Sequence, residues 1–217
     1  MEPKIYTNNT WGSWESVRTL EKNVKFIGEH VDNIYQEILK VNELKTELEK
    51  LGKPLRRGYL LYGKPGNGKT TRIKALANKL NKNICVLAID KEITNCRLIE
   101  SILRVPAQSI LLIEDIDRLK LVQTNQTNNE DRHKIELSTF LNILDGLYTP
   151  TGLLVFATAN NYEKIDKAII RTGRFDRHIE FKSPENKEHN SYADYVEEKV
   201  RILYKVLARG PPNLFGR

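Results

Sequence analysis

The apolar residues of this chain fall into five short runs with longer, more mixed stretches between them. The runs are GYLLY (58–62), ICVLAI (84–89), SILLIED (109–115), LLVFATAN (153–160) and HIEF (178–181). Each is rich in Ile, Leu and Val and too short to cross a membrane. They predict strands buried on both faces of a parallel sheet. The stretches between them carry a helical beat. KTTRIKALANKL places Ile73, Leu76, Ala77 and Leu80 on one stripe, and ELSTFLNILDGL does the same with Leu137, Phe140, Leu141 and Leu144 before Gly146 ends the helix. Strands alternating with helices predict βαβ units with right-handed crossovers.

Ahead of the first run the chain reads as mainly helical, through roughly Arg57. Val31, Ile34, Ile38 and Val41 repeat at helical spacing, and Leu44, Leu48 and Leu51 continue the stripe. Residues 121–134 (LVQTNQTNNEDRHK) are polar and aperiodic, the pattern of an exposed loop. After Phe181, SPENKEHNSYADY is polar, YVEEKVRILYKVL reads as an amphipathic helix and GPPNLFGR as a loose tail. There are no internal repeats. The expected organisation is an N-terminal segment over 1–15, an α/β core over 16–182 and a short helical remnant with a tail over 183–217.

The 217 residues suffice for one α/β domain with a substantial core. A net charge of +7 is compatible with an anionic ligand or with nucleic acid and selects neither. A local feature is sharper. From Tyr59 to Ile89 there is no acidic residue, while Lys64, Lys69, Arg72, Lys74, Lys79 and Lys82 all fall there. Two cysteines, Cys85 and Cys96, make no metal framework and read as reduced thiols in a cytosol-like compartment. No run is long enough for a membrane span, and MEPKIYTNNTWG has no apolar core of a secretory signal. The expected location is therefore the cytoplasm.

The first strand runs directly into GKPGNGKT, residues 63–70, and a helix pattern follows. The alternatives are a plain glycine turn and a phosphate cradle. Strand, glycine loop and helix in that order are the context a P-loop requires, and G-x-x-x-x-G-K-[ST] is matched in full. Gly63, Gly66 and Gly68 allow backbone N–H groups to converge on one point. The helix start adds its positive end. Lys69 can reach the β- and γ-phosphates, and the Thr70 hydroxyl can ligate Mg²⁺. Lys64, Pro65, Asn67 and Thr71 complete the candidate nucleotide-binding set. A second motif, ILLIEDID (110–117), is an apolar strand that ends in carboxylates. Such an end is costly unless a cation or water waits there. Alone, Glu114, Asp115 and Asp117 could be a solvated acidic cluster; downstream of a P-loop they suit Mg²⁺ and ATP.

Taken together, RRGYLLYGKPGNGKT, SILLIEDID, FATAN and IDKAIIRTGRFDRHIEF stand in the order of an AAA (AAA+) ATPase, over roughly residues 16–182. The last stretch resembles the second region of homology of that family. RRGYLLYG, the order Glu-Asp and FLNILDG are most similar to the ATPase module of the mitochondrial chaperone that helps assemble respiratory complex III, a subgroup with viral and prokaryotic relatives. The resemblance implies a P-loop NTPase fold, a three-layer αβα sandwich on a five-stranded parallel sheet, followed by a helical lid. It implies ATP and Mg²⁺ as ligands. Gly63, Gly66, Gly68, Lys69 and Thr70 would hold the triphosphate and metal. Glu114 would sit by the metal and Asp115 would polarise water, the reverse of the family's usual Asp-Glu order. Asn160 matches the sensor asparagine. Arg171 and Arg174 match the arginine fingers, which act on a neighbour's nucleotide in a homo-oligomeric ring, hexamer or heptamer.

Two departures from the family follow. DKEITNCRLIESILRVPAQ, in the place of the usual pore loop, holds no aromatic residue and no glycine, so threading of an unfolded chain is not supported. About 36 residues follow Phe181, fewer than a full helical lid needs. The favoured reading is an Mg²⁺-dependent ATPase that remodels or moves a protein partner. The alternatives are a nucleic-acid-directed AAA+ ATPase of replication or clamp-loading type, and an ATP-binding scaffold without hydrolysis. No basic-aromatic patch, zinc site or helix-turn-helix pattern favours the nucleic acid. Lys69, Asp115, Asn160, Arg171 and Arg174 together argue against the scaffold. Trp11 and Trp14 are expected to pack on the core.

Overall fold

The computed structural model describes residues 2–21, 29–44, 47, 50–52, 56–90, 92–121, 135–150 and 152–182. The sheet and its helices belong to one unit, Met1–Phe181. All five apolar runs are strands: β3 (Arg57–Tyr62), β4 (Asn83–Val86), β5 (Ser109–Ile113), β6 (Leu154–Ala159) and β7 (Arg177–Glu180). They are preceded by β1 (Lys4–Asn8) and β2 (Trp14–Thr19). The helices are α1 (Glu29–Glu43), α2 (Lys69–Lys79), α3 (Asn95–Leu103) and α4 (Leu137–Leu144). Spatially the strands run β2-β1-β4-β5-β6-β3-β7, and every neighbouring pair is parallel except β1 with β2.

Alternation along the central strands splits their side chains between two cores. Leu60, Leu111, Ile113, Val155 and Ala157 join Ile102, Phe140, Ile143 and Leu144 on the face covered by α3 and α4. Tyr59, Leu61, Ile110, Leu112, Leu154 and Phe156 join Ile34, Ile38, Ile73 and Leu76 on the face covered by α1 and α2. This is a three-layer αβα arrangement, and the runs lack polar positions because neither face meets water. Within the second core Tyr59 and Phe156 stack with centroids 4.8 Å apart.

Three expectations need correction. The sheet has seven strands rather than five, because residues 4–19 form a β-hairpin where a mainly helical segment was expected. The register of β1 against β4, Ile5↔Ile84 to Thr7↔Val86, makes the hairpin part of the main sheet. Its outer strand β2 is an exposed edge with no apolar face, so it lacks the period that reveals a buried strand. The run HIEF is an edge strand too: only Ile179 of β7 is even half-buried. Finally, α1 ends at Glu43, and Leu44 and Leu51 are exposed rather than continuing its stripe. The expectations for Leu48, for the loop beyond Leu121 and for the helix and tail over 183–217 lie outside the described residues.

Trp14 and Trp11 part company. The Trp14 indole N–H donates to Ser101 O at 2.7 Å, fixing the hairpin on α3. Trp11 is exposed at the turn, with the Arg97 guanidinium 5.3 Å from its ring centroid.

Candidate functional site

The site lies where β3, β5 and β6 end. At the end of β3 the chain turns at Gly63, whose φ is +138°. A Cβ there would stand 2.2 Å from Phe181 O, so the turn admits no side chain. Asn67 Nδ2 donates to the same Phe181 O at 2.7 Å, and Gly63 N–H donates to Ala159 O at 3.2 Å. The loop is thereby tied to β6 and to the residue after β7. Gly68, at φ +76°, ends the loop in the left-handed region and caps α2. Lys64, Pro65 and Gly66 are exposed on the outer bend, and Thr71 lies half-buried in the first turn of α2.

Lys69 is 7% exposed. Its ammonium donates to Gly63 O at 2.7 Å, Lys64 O at 3.1 Å and Asn160 Oδ1 at 2.9 Å. All three acceptors are neutral, and among the described residues no carboxylate pairs with it. Burial lowers its pKa, against a partial opposing pull from Asp115 and Asp117. A cation held among dipoles beside an open glycine loop is suited to an anion, and a phosphate would complete the set.

Asn160, just past β6, bridges this lysine to the acidic motif. Its Oδ1 accepts from Lys69 and its Nδ2 donates to Asp115 Oδ1 at 2.9 Å. The amide can bridge in only this sense, since the flipped form would aim N–H groups at an ammonium. Past β5, Thr70 Oγ1 donates to Glu114 Oε1 at 2.9 Å. A hydroxyl and an exposed carboxylate so placed offer hard oxygen ligands of the kind Mg²⁺ takes together with phosphate oxygens. Among the described residues no group of three His, Cys, Asp or Glu forms a metal cage. Asp115 sits in the left-handed region at φ +48°, and its other oxygen lies 3.4 Å from Arg118.

Gly63, Lys69, Thr70, Glu114, Asp115 and Asn160 are thus drawn together. Arg171 and Arg174 are not. They precede β7, at the end of the sheet where β3 starts: Gly58 N–H donates to Asp176 Oδ2 at 3.2 Å, and Arg174 O crowds the Gly58 Cα. Arg174 grips Asp145 through Nε at 2.6 Å and Nη2 at 2.7 Å, and Nη1 donates to Ala168 O. Hydrogen bonding to Arg174 holds the Asp145 carboxyl below its ordinary range, and the same contact raises the Arg174 pKa. Arg171 is exposed.

Sequence reasoning missed three participants. Asp145 was legible only as a helix-end residue. Asp117 stood in the acidic motif without a role. Thr158, 2% exposed, accepts from Asp115 N–H at 3.1 Å; it stands in the FATAN stretch, which gave it no role.

Comparison with known proteins agrees with this geometry. Residues 59–183 match the family described as "ATPase family associated with various cellular activities (AAA)". The chain is 32% identical over 242 residues to AAA-ATPase At5g40000 of Arabidopsis thaliana, covering 99% of this chain and 48% of that protein. It is 38% identical over 225 residues to AAA-ATPase At3g50940 of the same organism, covering 93% and 48%. To the protein named "Probable mitochondrial chaperone BCS1-A" of Dictyostelium discoideum it is 36% identical over 187 residues, covering 81% and 44%. The chain spans about half the length of these curated relatives or slightly less. No described helix is long and apolar enough to cross a membrane. A glycine loop with a buried lysine, an acidic strand end, a bridging asparagine and these matches have one common account: the chain belongs to the AAA family of ATPases, in the subgroup of the BCS1-type chaperone.

Proposed function

We propose that this chain binds Mg²⁺·ATP in the 63–71 loop and hydrolyses it between subunits of a homo-oligomeric ring. The observation that carries this reading is the hydrogen-bonded set Lys69–Asn160–Asp115 beside Thr70–Glu114. Lys69 and the loop N–H groups bind the triphosphate. Thr70 and Glu114 hold the Mg²⁺, which when bound offsets phosphate charge. Asp115 accepts the proton of the attacking water, and Asn160 orients that water from its place between Asp115 and Lys69. The rate comes mainly from positioning and electrostatics.

The neighbour's contribution follows from where the arginine segment lies. Gly58 and Gly63 are five positions apart along β3 and its end, so at about 3.3 Å per residue the segment stands ~16 Å from its own loop. Neither Arg171 nor Arg174 serves its own nucleotide. A second copy must present them, and a closed ring, hexameric or heptameric, is the assembly that serves every site alike. The work driven is remodelling or moving a protein partner, in keeping with the chaperone relative and with a segment after β4 that holds no aromatic or glycine residue. A reducing, cytoplasm-like compartment suits Cys85, a buried thiol whose pKa burial pushes up to about 11.

The test is ATPase rate against protein concentration, with light scattering at each point, with and without DNA. The expected result is a rate per subunit that climbs as the ring forms and ignores DNA. A flat rate from a monomer would remove the shared site, and strong stimulation by DNA would favour a nucleic-acid-directed motor.

A further inference from the structure

The β5–β6 ladder ends at Ile113↔Ala157. Beyond it β5 leaves the ladder while β6 runs on beside β3 to Ala159, and the residues assigned above to water activation, Asp115 and Asn160, lie just past these two strand ends. Two reciprocal side-chain clamps hold them. From the β6 side, Thr158 Oγ1 takes the N–H of Asp115 at 3.1 Å, which supports a left-handed backbone that is uncommon outside glycine, asparagine and aspartate. From the β5 side, the Asp117 carboxylate reaches back. Its Oδ1 accepts from Asn160 N–H at 3.1 Å and its Oδ2 from Asn161 N–H at 3.1 Å. Two consecutive backbone donors on one carboxylate fix the peptide between them. The Asn160 side chain leaves that backbone toward Lys69 and Asp115.

We propose that Asp117 is a positioning residue for ATP hydrolysis, gripping the 160–161 backbone so that the Asn160 amide spans Lys69 and Asp115. The inference rests on the site reading above. Asp117 touches no reacting atom in it and acts through Asn160. Its charge also serves the geometry, since an ionised carboxylate accepts both N–H groups at once. Asn offers one acceptor and turns its NH₂ toward the other donor. Released from one anchor, the Asn160 amide drifts, and a misplacement of about 1 Å at a reacting centre can cost on the order of 10²-fold in rate.

The experiment is a double-mutant cycle on the full chain in its assembled state, reading kcat, KM for ATP and thermal midpoint for wild type, Asp117→Asn, Asn160→Ala and the double variant. Asp117→Asn should lower kcat by about 10²-fold while KM stays within about threefold. In the Asn160→Ala background the same change should leave kcat untouched while still lowering the midpoint, because the backbone clamp persists when the amide is gone. A further 10²-fold fall in the double variant would overturn the inference, as would an unchanged kcat in Asp117→Asn alone. Asp117→Glu keeps both acceptor oxygens and runs through the same cycle if the Asn variant does not fold. Wild-type protein that assembles without hydrolysing ATP, or Asn160→Ala as fast as wild type, would refute the site reading itself. Additive losses with a slow Asn160→Ala refute only the role of Asp117.

Discussion

Replacing Asp145 with Asn tests whether the arginine segment is held by charge. Asp145 caps the C-terminal end of α4, where a carboxylate faces the negative end of the helix dipole. It is tolerated there because both its oxygens take Arg174, whose side chain is 11% exposed against 49% for Asp145. An exposed pair contributes about 0–1 kcal/mol, and removing one partner of a buried pair costs about 3–5 kcal/mol. This pair is half in solvent on the carboxylate side, so screening discounts the upper figure to roughly 1–3 kcal/mol. For a chain of this size that is a fall of about 3–10 °C in thermal midpoint. The pH dependence fixes the cause. The folded-state pKa of Asp145 lies below its ordinary 3.8, so the contribution is present above that value and is lost as pH falls through the depressed folded value. Urea denaturation of parent and Asp145→Asn should differ by the full amount at pH 7. The difference should shrink as the parent carboxyl protonates at acid pH. An equal difference at pH 7 and at acid pH would show that packing, not charge, holds Arg174. No difference at pH 7 would show that the contact stabilises nothing.

Lys69→Ala should abolish ATP binding by calorimetry with the fold intact by circular dichroism; unchanged affinity would remove the loop assignment. Asp115→Asn should bind ATP with near-parent affinity yet turn over at least about 10²-fold more slowly, and normal steady-state hydrolysis would move the proton-accepting role to Glu114. Gly63→Ala should lower the midpoint and loosen nucleotide together, since a Cβ there meets Phe181 O at 2.2 Å; a neutral substitution would contradict the close approach. Trp14→Phe removes the N–H donated to Ser101 O and should cost about 1 kcal/mol in urea denaturation without changing ATPase rate, and a large loss of rate would tie the hairpin to the site.

Sequence by itself determined the four buried strands β3, β4, β5 and β6, the place of the edge strand β7 along the chain, and the candidate site at the strand ends. Buried strands must be apolar on both faces, and a phosphate loop must carry glycine, lysine and a hydroxyl at fixed spacing, so both leave local marks. Gly63, Lys69, Thr70, Glu114 and Asp115 were legible for that reason, and Asn160 only through the resemblance to the family. Strand order is different. Nothing local to β3 says that it lies between β6 and β7, yet that order brings Asn160 to Lys69 and Phe181 to Gly63. The hairpin escaped because its outer strand β2 is an exposed edge with no solvent-avoiding period to display, and because β1 buries only Ile5 and Asn8, one of them polar. The holding contacts escaped for a related reason. Thr158 with Asp115, Asp117 with Asn160 and Asn161, and Asp145 with Arg174 join residues 29–44 positions apart. Their partners are chosen by how the layers close, and only the folded chain brings those donors and acceptors within reach.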